Sequence, residues 1–430
     1  MREELPRQLG LLDAVAVLVG TLIGSGIFIA PILVARALPS GPAILAVWAF
    51  AGVLSFFGAL AYGELGAMMP ATGGQYIYLR ESFGPLWAFL FGWTHFLVVF
   101  SAAIAWLAIS FADYLSYFAP LSPVASKTVA VALIAAVTTV NYRGAVAGAA
   151  AQKTFTLLKI SGLMVLVASA FVAPAARATA VPAPAPLQQY GVALIACLVA
   201  YDGWSGVSFL AGEIKNPQRN VPLALALGLA ICVVVYTLAN AAYLHVLGAG
   251  GIAATERLGS LVAEKTMGPA GGLFVTLTIL VSIAGAANGM TLAAPRMSFA
   301  QSRDGLLLRL FGAVHPRFRS PSRAVLAFGA WSSLLALTGT YDSLASLAML
   351  AAWLFYGMTV AGVFVLRRKR PDLPRPYRMW GYPVTPLLFA AAAAAFVFNT
   401  VVARPGPALA AGLLIAAGVP AYRYWNRRRA

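Results

Sequence analysis

The stretch "VLVGTLIGSGIFIAP", residues 17–31, determines how the rest of the sequence is interpreted. It is apolar enough for a membrane helix, yet Gly20, Gly24 and Gly26 interrupt it, with Ser25 between the last two. Glycine destabilises a helix by about 1 kcal/mol relative to alanine. Within hydrocarbon, an opened backbone also exposes N–H and C=O groups that need partners. The stretch therefore predicts a membrane helix that is broken at a place facing protein or a water-filled cavity.

Composition assigns the chain to the polytopic helical membrane proteins. Of its 430 residues, 61% are hydrophobic and 10% are charged, whereas soluble domains average about 25% charged residues. The net charge of +17 would indicate nucleic-acid binding in a soluble protein. In a membrane protein, basic loops on one side of the bilayer account for such a charge. We therefore expect the lipid bilayer, and no nucleic acid, as a partner.

No group of residues has the pattern of a catalytic or cofactor site. Cys197 and Cys232 lie inside apolar segments, where cysteine is usually a small buried side chain. No His, Cys, Asp or Glu cluster has the spacing of a metal site, and no phosphate-binding motif occurs. We therefore expect no metal, no cofactor and no enzymatic activity.

Twelve apolar segments are long enough to span a bilayer. If the N-terminus is cytoplasmic, 23 of the 30 Lys and Arg residues fall on the cytoplasmic side and 6 outside, with Lys159 left in a span. This asymmetry follows the positive-inside rule and places both termini in the cytoplasm. No polar stretch is long enough for a soluble domain, so residues 1–430 form one predicted transmembrane domain. The segments lie at about 11–36, 42–69, 84–113, 122–141, 154–174, 188–211, 221–248, 270–298, 322–339, 342–366, 383–402 and 406–425.

A second interruption occurs in the sixth segment, "LVAYDGWSGVSFLAGEIKNP" (198–217), at Asp202 and Gly203. The first and sixth spans each begin a group of five helices. Paired breaks at corresponding positions predict an inverted-repeat carrier with its substrate near the bilayer midplane. The alternative is that the glycines only let helices pack closely. The two repeats and the remaining helix pair cover about 11–174, about 188–366 and about 383–425.

Four stretches resemble signatures of the amino acid–polyamine–organocation (APC) superfamily, and in particular of its bacterial L-type amino acid transporter branch. They are "GTLIGSGIFIAP" (20–31), "AYGELGAMMPATGGQYIYLRESFGP" (61–85), "YDGWSGVSFLAGEIKNPQRNVP" (201–222) and "RMSFAQSRDGLLLRLFGAVHPRFRSP" (296–321). The resemblance implies an all-α integral membrane protein of the LeuT-type fold. That fold has twelve transmembrane helices, in a 5+5 inverted repeat with helices 1 and 6 broken and two extra C-terminal helices. The implied function is transport of a small amino acid substrate by alternating access.

The resemblance also implies the substrate-binding residues. Gly24, Ser25, Gly26 and Ile27 would hold the substrate carboxylate at the start of a half-helix, whose free N–H groups attract anions. The carbonyls of Leu22, Ile23, Val199, Ala200 and Asp202 would face the amine, and Tyr201, Gly203 and Ser205 complete the set. Val199 stands where relatives often have an aromatic gate, and Ser205 where many L-type members have asparagine. Both departures bear on which substrate side chains are accepted.

Lys159 lies inside the fifth span, in "TFTLLKISGLMVL" (154–166). A charge at membrane depth marks a functional site by default, although a lysine near Lys153 could also extend toward the surface. In the branch that the chain resembles, a lysine occupies the place of the sodium ion of related sodium-coupled carriers. Lys159 would then tie the fifth span to the break near Gly24 and make transport independent of sodium. Proton coupling is the alternative.

Three acidic residues are candidates for gating or proton transfer. Glu64 ends the second span, and we expect it to pair with a loop arginine. Asp202 is expected to cap the N–H groups of residues 203–205. Glu213 is expected to join a cytoplasmic ion-pair network with Arg296 or Arg303.

The predicted function is secondary transport of neutral L-amino acids, by sodium-independent exchange or with protons. The alternative is a cationic amino acid or polyamine antiporter of the same fold, for which Asp202 is the available carboxylate at midplane depth. Eukaryotic L-type members carry a cysteine for a glycoprotein partner in the loop after the third span. The loop at 116–127 has none, so we expect no covalent heavy-chain subunit. The length and the short termini suit a bacterial protein, so we expect the cell inner membrane.

Overall fold

The computed structural model describes residues 4–176, 185–338 and 341–427. In chain order, the α-helices are α1 (Leu11–Leu22), α2 (Gly26–Ala37), α3 (Gly41–Met68), α4 (Gln75–Phe83), α5 (Pro85–Thr94), α6 (Phe100–Leu115), α7 (Pro123–Tyr142), α8 (Ala145–Val172), α9 (Leu187–Ala200), α10 (Gly206–Phe209), α11 (Pro217–Ala253), α12 (Leu258–Met267), α13 (Pro269–Ala293), α14 (Pro295–Arg303), α15 (Ser322–Thr338), α16 (Tyr341–Lys369), α17 (Val384–Ala403) and α18 (Pro405–Arg427). A π-helical turn at His95–Val99 joins α5 to α6, and 3-10 turns cover Ala211–Glu213 and Arg309–Gly312.

The described residues form an all-helical, multi-pass membrane protein. They contain nine helical segments long and apolar enough to cross a bilayer, and α1 with α2 makes a tenth, bent span. The predicted sixth and ninth spans correspond to α9 and α15, which are apolar but only 14 and 17 residues long. The architecture agrees with the predicted fold, while the count of twelve spans and the division into two repeats stay predictions. The ends of the predicted domain, residues 1–3 and 428–430, lie outside the described residues.

The fifth span begins earlier than the sequence predicts. Its helix, α8, starts at Ala145 instead of about residue 154, directly after Gly144, which has a φ of +107°. Lys153 is therefore a helical residue, and its ammonium lies 2.8 Å from the Asp13 carboxylate at the start of α1. The sequence predicts too late a start for this helix because it assigns Gln152 and Lys153 to a loop. Both residues are helical and contact α1, at Gly20 and Asp13.

The predicted break in the first span is confirmed. The axes of α1 and α2 differ by 46°, and Ile23 between them is extended, with φ −75° and ψ 91°. Added Cβ atoms would lie 1.9 Å from Gln152 Nε2 at Gly20 and 3.3 Å from the Ala200 Cα at Gly26, so both glycines allow close packing. A Cβ at Gly24 would meet nothing nearer than 3.8 Å. Packing therefore explains two of the three glycines and leaves Gly24 at an open place.

The predicted break in the sixth span is also confirmed. The helix α9 ends at Ala200, and turns lead to the short helix α10. Gly203 within these turns has a φ of +109°, a conformation that favours glycine. Its Cβ position is 3.3 Å from Thr21, which precedes the first break, whereas Gly26, which follows that break, packs on Ala200. The two breaks therefore lie side by side and run in opposite directions.

Replacing Gly203 with alanine should destabilise the protein by about 1–3 kcal/mol, because a Cβ strains this backbone conformation. Gly412→Ala in α18 is the matched control, since a Cβ there meets nothing within 4 Å. Thermal unfolding of the detergent-solubilised variants measures the difference. Equal melting temperatures for the two variants would contradict the assignment of strain to Gly203.

Candidate functional site

The ammonium of Lys159 lies inside the break of the first span. Its Nζ donates hydrogen bonds to the carbonyls of Gly20 at 2.7 Å, Ile23 at 2.6 Å and Ser282 at 3.1 Å. The residue is only 1% exposed, so its side chain does not extend to the surface. These contacts confirm the predicted link between the fifth span and the break, and they add α13 to it.

Two hydroxyl groups hold further carbonyls of the same break. The Tyr236 hydroxyl of α11 donates to the Leu22 carbonyl at 2.9 Å and contacts the Ala200 carbonyl at 3.1 Å. Ser282 Oγ donates to the Ile23 carbonyl at 3.0 Å. Side chains of α8, α11 and α13 thus satisfy acceptors that a helix ending in the membrane would leave unpaired. A carbonyl oxygen has two lone pairs, so the Leu22 and Ala200 carbonyls retain capacity for a second donor, whereas the Ile23 carbonyl already accepts from both Lys159 and Ser282.

The backbone N–H donors on the other side of the break lack such partners in the described part of the chain. Among the described residues, no backbone carbonyl accepts the N–H groups of Gly24, Ser25, Gly26 or Ile27. The Ser25 hydroxyl is buried and also has no hydrogen-bond partner there. We call the four N–H groups of residues 24–27 the N–H cradle. Because the cradle begins α2, the helix dipole adds a positive potential to it, and the arrangement suits an anion.

A central cavity of about 130 Å³ lies beside both breaks. It contacts Thr21 before the first break and Asp202, Gly203, Ser205 and Gly206 at the second. Most of its wall is apolar and many of its side chains are small. The apolar wall includes Val99, Ala102, Ala103, Met290, Ala348 and Ala352.

One polar group of side chains interrupts the apolar wall of the central cavity. Ser205 Oγ and the Tyr356 hydroxyl are 3.2 Å apart, and the Asp202 carboxyl group interacts with Tyr356 and with the Gly203 N–H. Gly203 is the first of the three residues that Asp202 is expected to cap. The Asp202 Oδ1 atom is buried without a hydrogen-bond partner in the described parts of the chain. The Asp202 carboxyl group thus contacts Tyr356 and the Gly203 N–H, while its Oδ1 atom is still able to accept a hydrogen bond beside the cavity.

The predicted substrate residues divide into two places. Val199, Asp202, Gly203 and Ser205 line the central cavity. Ala200 and Tyr201 are buried beside the cavity wall. The remaining predicted residues form the break of the first span, behind the cavity: Leu22, Ile23, Gly24, Ser25, Gly26 and Ile27. The structure therefore brings the two predicted stretches together, but it gives only the second a surface on the cavity.

The other two acidic candidates form ion pairs away from the cavity. Glu64 accepts two hydrogen bonds from Arg367, at 2.9 and 2.6 Å, so it pairs with an arginine as predicted, but Arg367 lies in the last turn of α16 and not in the loop. Glu213 accepts hydrogen bonds from Arg296 at 2.7 and 3.1 Å, which confirms the predicted partner. This pair is buried, because the Glu213 and Arg296 side chains are 1% and 0% exposed. The roles of both acids in gating or proton transfer stay predictions.

The N-terminal segment explains why the second ion pair is buried. The backbone N–H groups of Gln8 and Leu9 both donate to the Glu213 carbonyl at 2.9 Å, and the Lys215 N–H donates to the Leu9 carbonyl at 2.8 Å. Leu9 and Ile214 form an isolated β-bridge. The segment before α1 therefore covers the end of the sixth span.

Sequence reasoning missed several residues of the site. Tyr236 and Ser282 hold the break, while Thr21 and Tyr356 line the central cavity. All four lie in long apolar segments in which a hydroxyl commonly bonds its own helix, as Thr276 does with the Gly272 carbonyl. No sequence signal separates the two uses. No metal-binding group of three or more His, Cys, Asp or Glu residues occurs in the part of the chain that the structure describes.

A sequence profile described as "Amino acid permease" matches residues 9–419. The chain is 33% identical over 385 residues to the b(0,+)-type amino acid transporter 1 of Mus musculus, covering 87% of this chain and 79% of the relative. It is 32% identical over 431 residues to the serine/threonine exchanger SteT of Bacillus subtilis (strain 168), covering 99% and 98%. It is 30% identical over 438 residues to the cystine/glutamate transporter of Homo sapiens, covering 97% and 85%.

Replacing Lys159 with alanine should lower the free energy of unfolding by about 1–3 kcal/mol, because buried carbonyls lose their donor. Lys153→Ala in the same helix is the control, since Lys153 makes a surface ion pair with Asp13 and is half-exposed. Such pairs contribute about 0–1 kcal/mol. Thermal unfolding in detergent measures both variants, and an equal loss in both would contradict the role of Lys159 in holding the break.

Proposed function

The chain belongs to the amino acid permease family, and from this premise we propose that it is a secondary carrier that exchanges neutral L-amino acids without sodium. Its relatives named above are transporters or exchangers of amino acids, which supports transport by exchange and not an enzymatic reaction. Their names also cover different substrates. The choice of substrate therefore has to be argued from the residues of this chain.

The observation that carries the proposal is the N–H cradle. We assign Gly24, Ser25, Gly26 and Ile27 to the substrate carboxylate, because their N–H groups lack backbone acceptors in the described chain. The buried, unpartnered Ser25 hydroxyl supplies one more donor. A carboxylate carries the acceptors and the negative charge that such a group favours.

The amine of the substrate would then lie against carbonyl oxygens. We assign to it the carbonyls of Leu22, Ile23, Val199, Ala200 and Asp202. The Tyr236 hydroxyl already donates to the Leu22 carbonyl and contacts the Ala200 carbonyl, and each of these would use its second lone pair for the amine. The Ile23 carbonyl already accepts from Lys159 and Ser282, so it would attract the amine through its dipole alone. Tyr201, Gly203 and Ser205 complete the proposed site by shaping the turn between α9 and α10.

The side chain of the substrate would occupy the central cavity. Its mostly apolar wall favours a neutral side chain, because an unpaired charge there would be expensive to bury. Val199 leaves space where an aromatic residue would close the wall, and Ser205 places a small hydroxyl at one end. We therefore propose neutral amino acids of small to medium size as substrates.

Lys159 supports the proposal that sodium is not needed. Its ammonium binds three carbonyls at the break, which are the kind of ligand that a sodium ion takes from freed backbone in broken-helix transporters. A covalently attached cation cannot be released with the substrate. The free energy for uphill transport would therefore come from a second amino acid, or from protons.

A cationic amino acid or polyamine is the second candidate substrate, and Asp202 favours it. The Asp202 carboxyl group lines the central cavity, and it forms no ion pair with another described residue. A basic substrate side chain would give this acid a partner. The similarity to the mouse b(0,+)-type transporter does not decide between these two candidate substrates for this chain.

The acidic residues Glu64 and Glu213 are proposed to take part in gating. Each holds an arginine at the end of the molecule that carries the N-terminus, so each pair would have to separate or move as a unit when that end opens. We further propose a location in the cell inner membrane with both termini cytoplasmic, and no covalent heavy-chain subunit.

Exchange in proteoliposomes tests the proposal most directly. Vesicles loaded with serine, leucine or lysine, or left empty, are challenged with the same three labelled amino acids. Uptake of serine and leucine that depends on internal amino acid is the expected result. Rapid uptake into empty vesicles without a pH gradient would contradict exchange, and transport of lysine alone would replace the neutral substrate by the cationic one.

Replacing external sodium with choline should leave the exchange rate unchanged, because Lys159 already occupies the carbonyls at the break. The measurement is initial uptake at matched ionic strength, with potassium as a second replacement. A rate that falls only when sodium is absent would contradict the assignment of Lys159 as a fixed cation.

Asp202→Asn distinguishes the two substrate candidates. If the substrate is neutral, the variant should keep serine exchange with at most a modest loss. If a basic side chain binds Asp202, lysine exchange should fall by about tenfold or more, as expected for losing a hydrogen bond to a charged group. Ser205→Ala, which keeps the carboxylate, is the control at the same end of the cavity.

A further inference from the structure

Three arginines meet at the end of α16 and in the basic segment that follows it. Arg367, Arg375 and Arg378, together with Pro371, line a pocket of about 200 Å³ that we call the arginine pocket. Residues 367–382, from the last turn of α16 through the loop before α17, contain six basic residues and one acid, Asp372. The substrate site does not use any of these groups.

Two of the arginines are fixed by the surrounding protein. Arg367 donates hydrogen bonds to both carboxylate oxygens of Glu64. Its guanidinium also stacks on the Tyr382 ring, with Cζ 3.8 Å from the ring centroid. The Arg375 side chain is 9% exposed, and its Nε lies 3.7 Å from a Glu64 oxygen without a hydrogen bond. The Nη groups of Arg375 donate to the carbonyls of Leu366, Arg370, Pro371 and Leu373.

The third arginine has no assigned task inside the protein. Arg378 is exposed, and it forms no hydrogen bond or ion pair with any residue that the structure describes. Among the described residues, Glu64 is the carboxylate that pairs with arginines of the pocket, because Asp372 lies near Arg370 instead, at 3.7 Å. In this part of the chain, three positive charges thus share one negative charge. The five donors of a guanidinium match the oxygens of a phosphate group well.

The position of the pocket indicates where such a phosphate would come from. Glu64 lies near the end of α3, at the end of the molecule that carries the N-terminus and most of the basic residues. Trp380 is 68% exposed beside it, and Tyr382 is partly exposed, as expected of aromatic residues at a membrane interface. Basic pockets at this depth, between transmembrane helices, bind anionic lipid headgroups.

We propose that the arginine pocket binds an anionic phosphate group, supplied by a phospholipid headgroup or by free phosphate. Arg378 provides donors that no other described residue uses, and the Nη1 group of Arg367, which Glu64 does not use, provides a further donor. Arg375 contributes positive charge, because its Nη groups are committed to carbonyls. The exposed aromatic rings favour the lipid as the source.

Binding to the purified full-length chain tests the proposal without any assumption about transport. The probes are dihexanoyl-phosphatidylglycerol, dihexanoyl-phosphatidylcholine and inorganic phosphate, each titrated by calorimetry in a neutral detergent below the lipid's micellar concentration. Arg378→Gln should weaken phosphatidylglycerol binding by about fivefold, the effect expected of one basic residue near an anionic headgroup. Arg378→Lys should retain part of the affinity.

Arg368→Gln is the matched control. Arg368 is exposed, neighbours Arg367 in the sequence and carries the same charge, but it does not line the pocket. Its variant should bind as the wild type does. Both variants change exposed residues, and melting temperatures equal to the wild type without lipid will verify that they fold.

The outcomes distinguish a lipid headgroup from free phosphate as the source of the bound phosphate group, and they show whether the arginine pocket binds phosphate at all. Binding of phosphatidylglycerol but not of inorganic phosphate, dependent on Arg378, supports a lipid site. Binding of both probes, each dependent on Arg378, supports the pocket with free phosphate as a source. Equal affinity in the wild type and Arg378→Gln, an equal loss in Arg368→Gln, or equal binding of phosphatidylcholine would overturn the proposal.

Discussion

The structure depends on hydrogen-bond partners for the backbone N–H and C=O groups that the break in the first span exposes inside the membrane. Each unsatisfied N–H or C=O group in hydrocarbon costs several kcal/mol. The Lys159 ammonium meets this requirement by donating to carbonyls of α1, the break and α13 at one point. Tyr236 joins the two breaks through the Leu22 and Ala200 carbonyls. Without these donors, a continuous helix would be the more stable form of residues 17–31.

The two sides of the first break are treated differently, and this difference determines what the site attracts. Protein donors already occupy the carbonyls that end α1, whereas the N–H groups that begin α2 have no backbone acceptor among the described residues. A site with its acceptors engaged and its donors free prefers an anion over a cation. For a zwitterion in the proposed site, the carboxylate would then supply the larger share of the attraction, and the amine would add to the Leu22 and Ala200 carbonyls, which each keep one lone pair.

The sequence predicted the roles of residues that are unusual in a membrane helix, and it did not predict the roles of residues that are common there. Glycines in a membrane helix, a lysine at membrane depth and acids at helix ends all stand out, and the structure places each at a break or in an ion pair. Hydroxyl residues in apolar helices do not stand out. Thr278 and Ser282 are four residues apart on α13, yet Thr278 bonds its own helix at Phe274 while Ser282 reaches Ile23.

The burial of the Glu213–Arg296 pair is a feature that the sequence did not predict. A charge that follows an apolar segment normally marks the surface. Here a distant part of the chain contributes, because residues 8 and 9 pair with the backbone at Glu213 and Ile214. In the proposed carrier, Lys159 cannot leave, and the N–H cradle holds donors without backbone acceptors among the described residues when no substrate is bound. A bound carboxylate removes the penalty of burying them unpaired, so the loaded carrier closes more readily than the empty one, and exchange follows from the chemistry of the break.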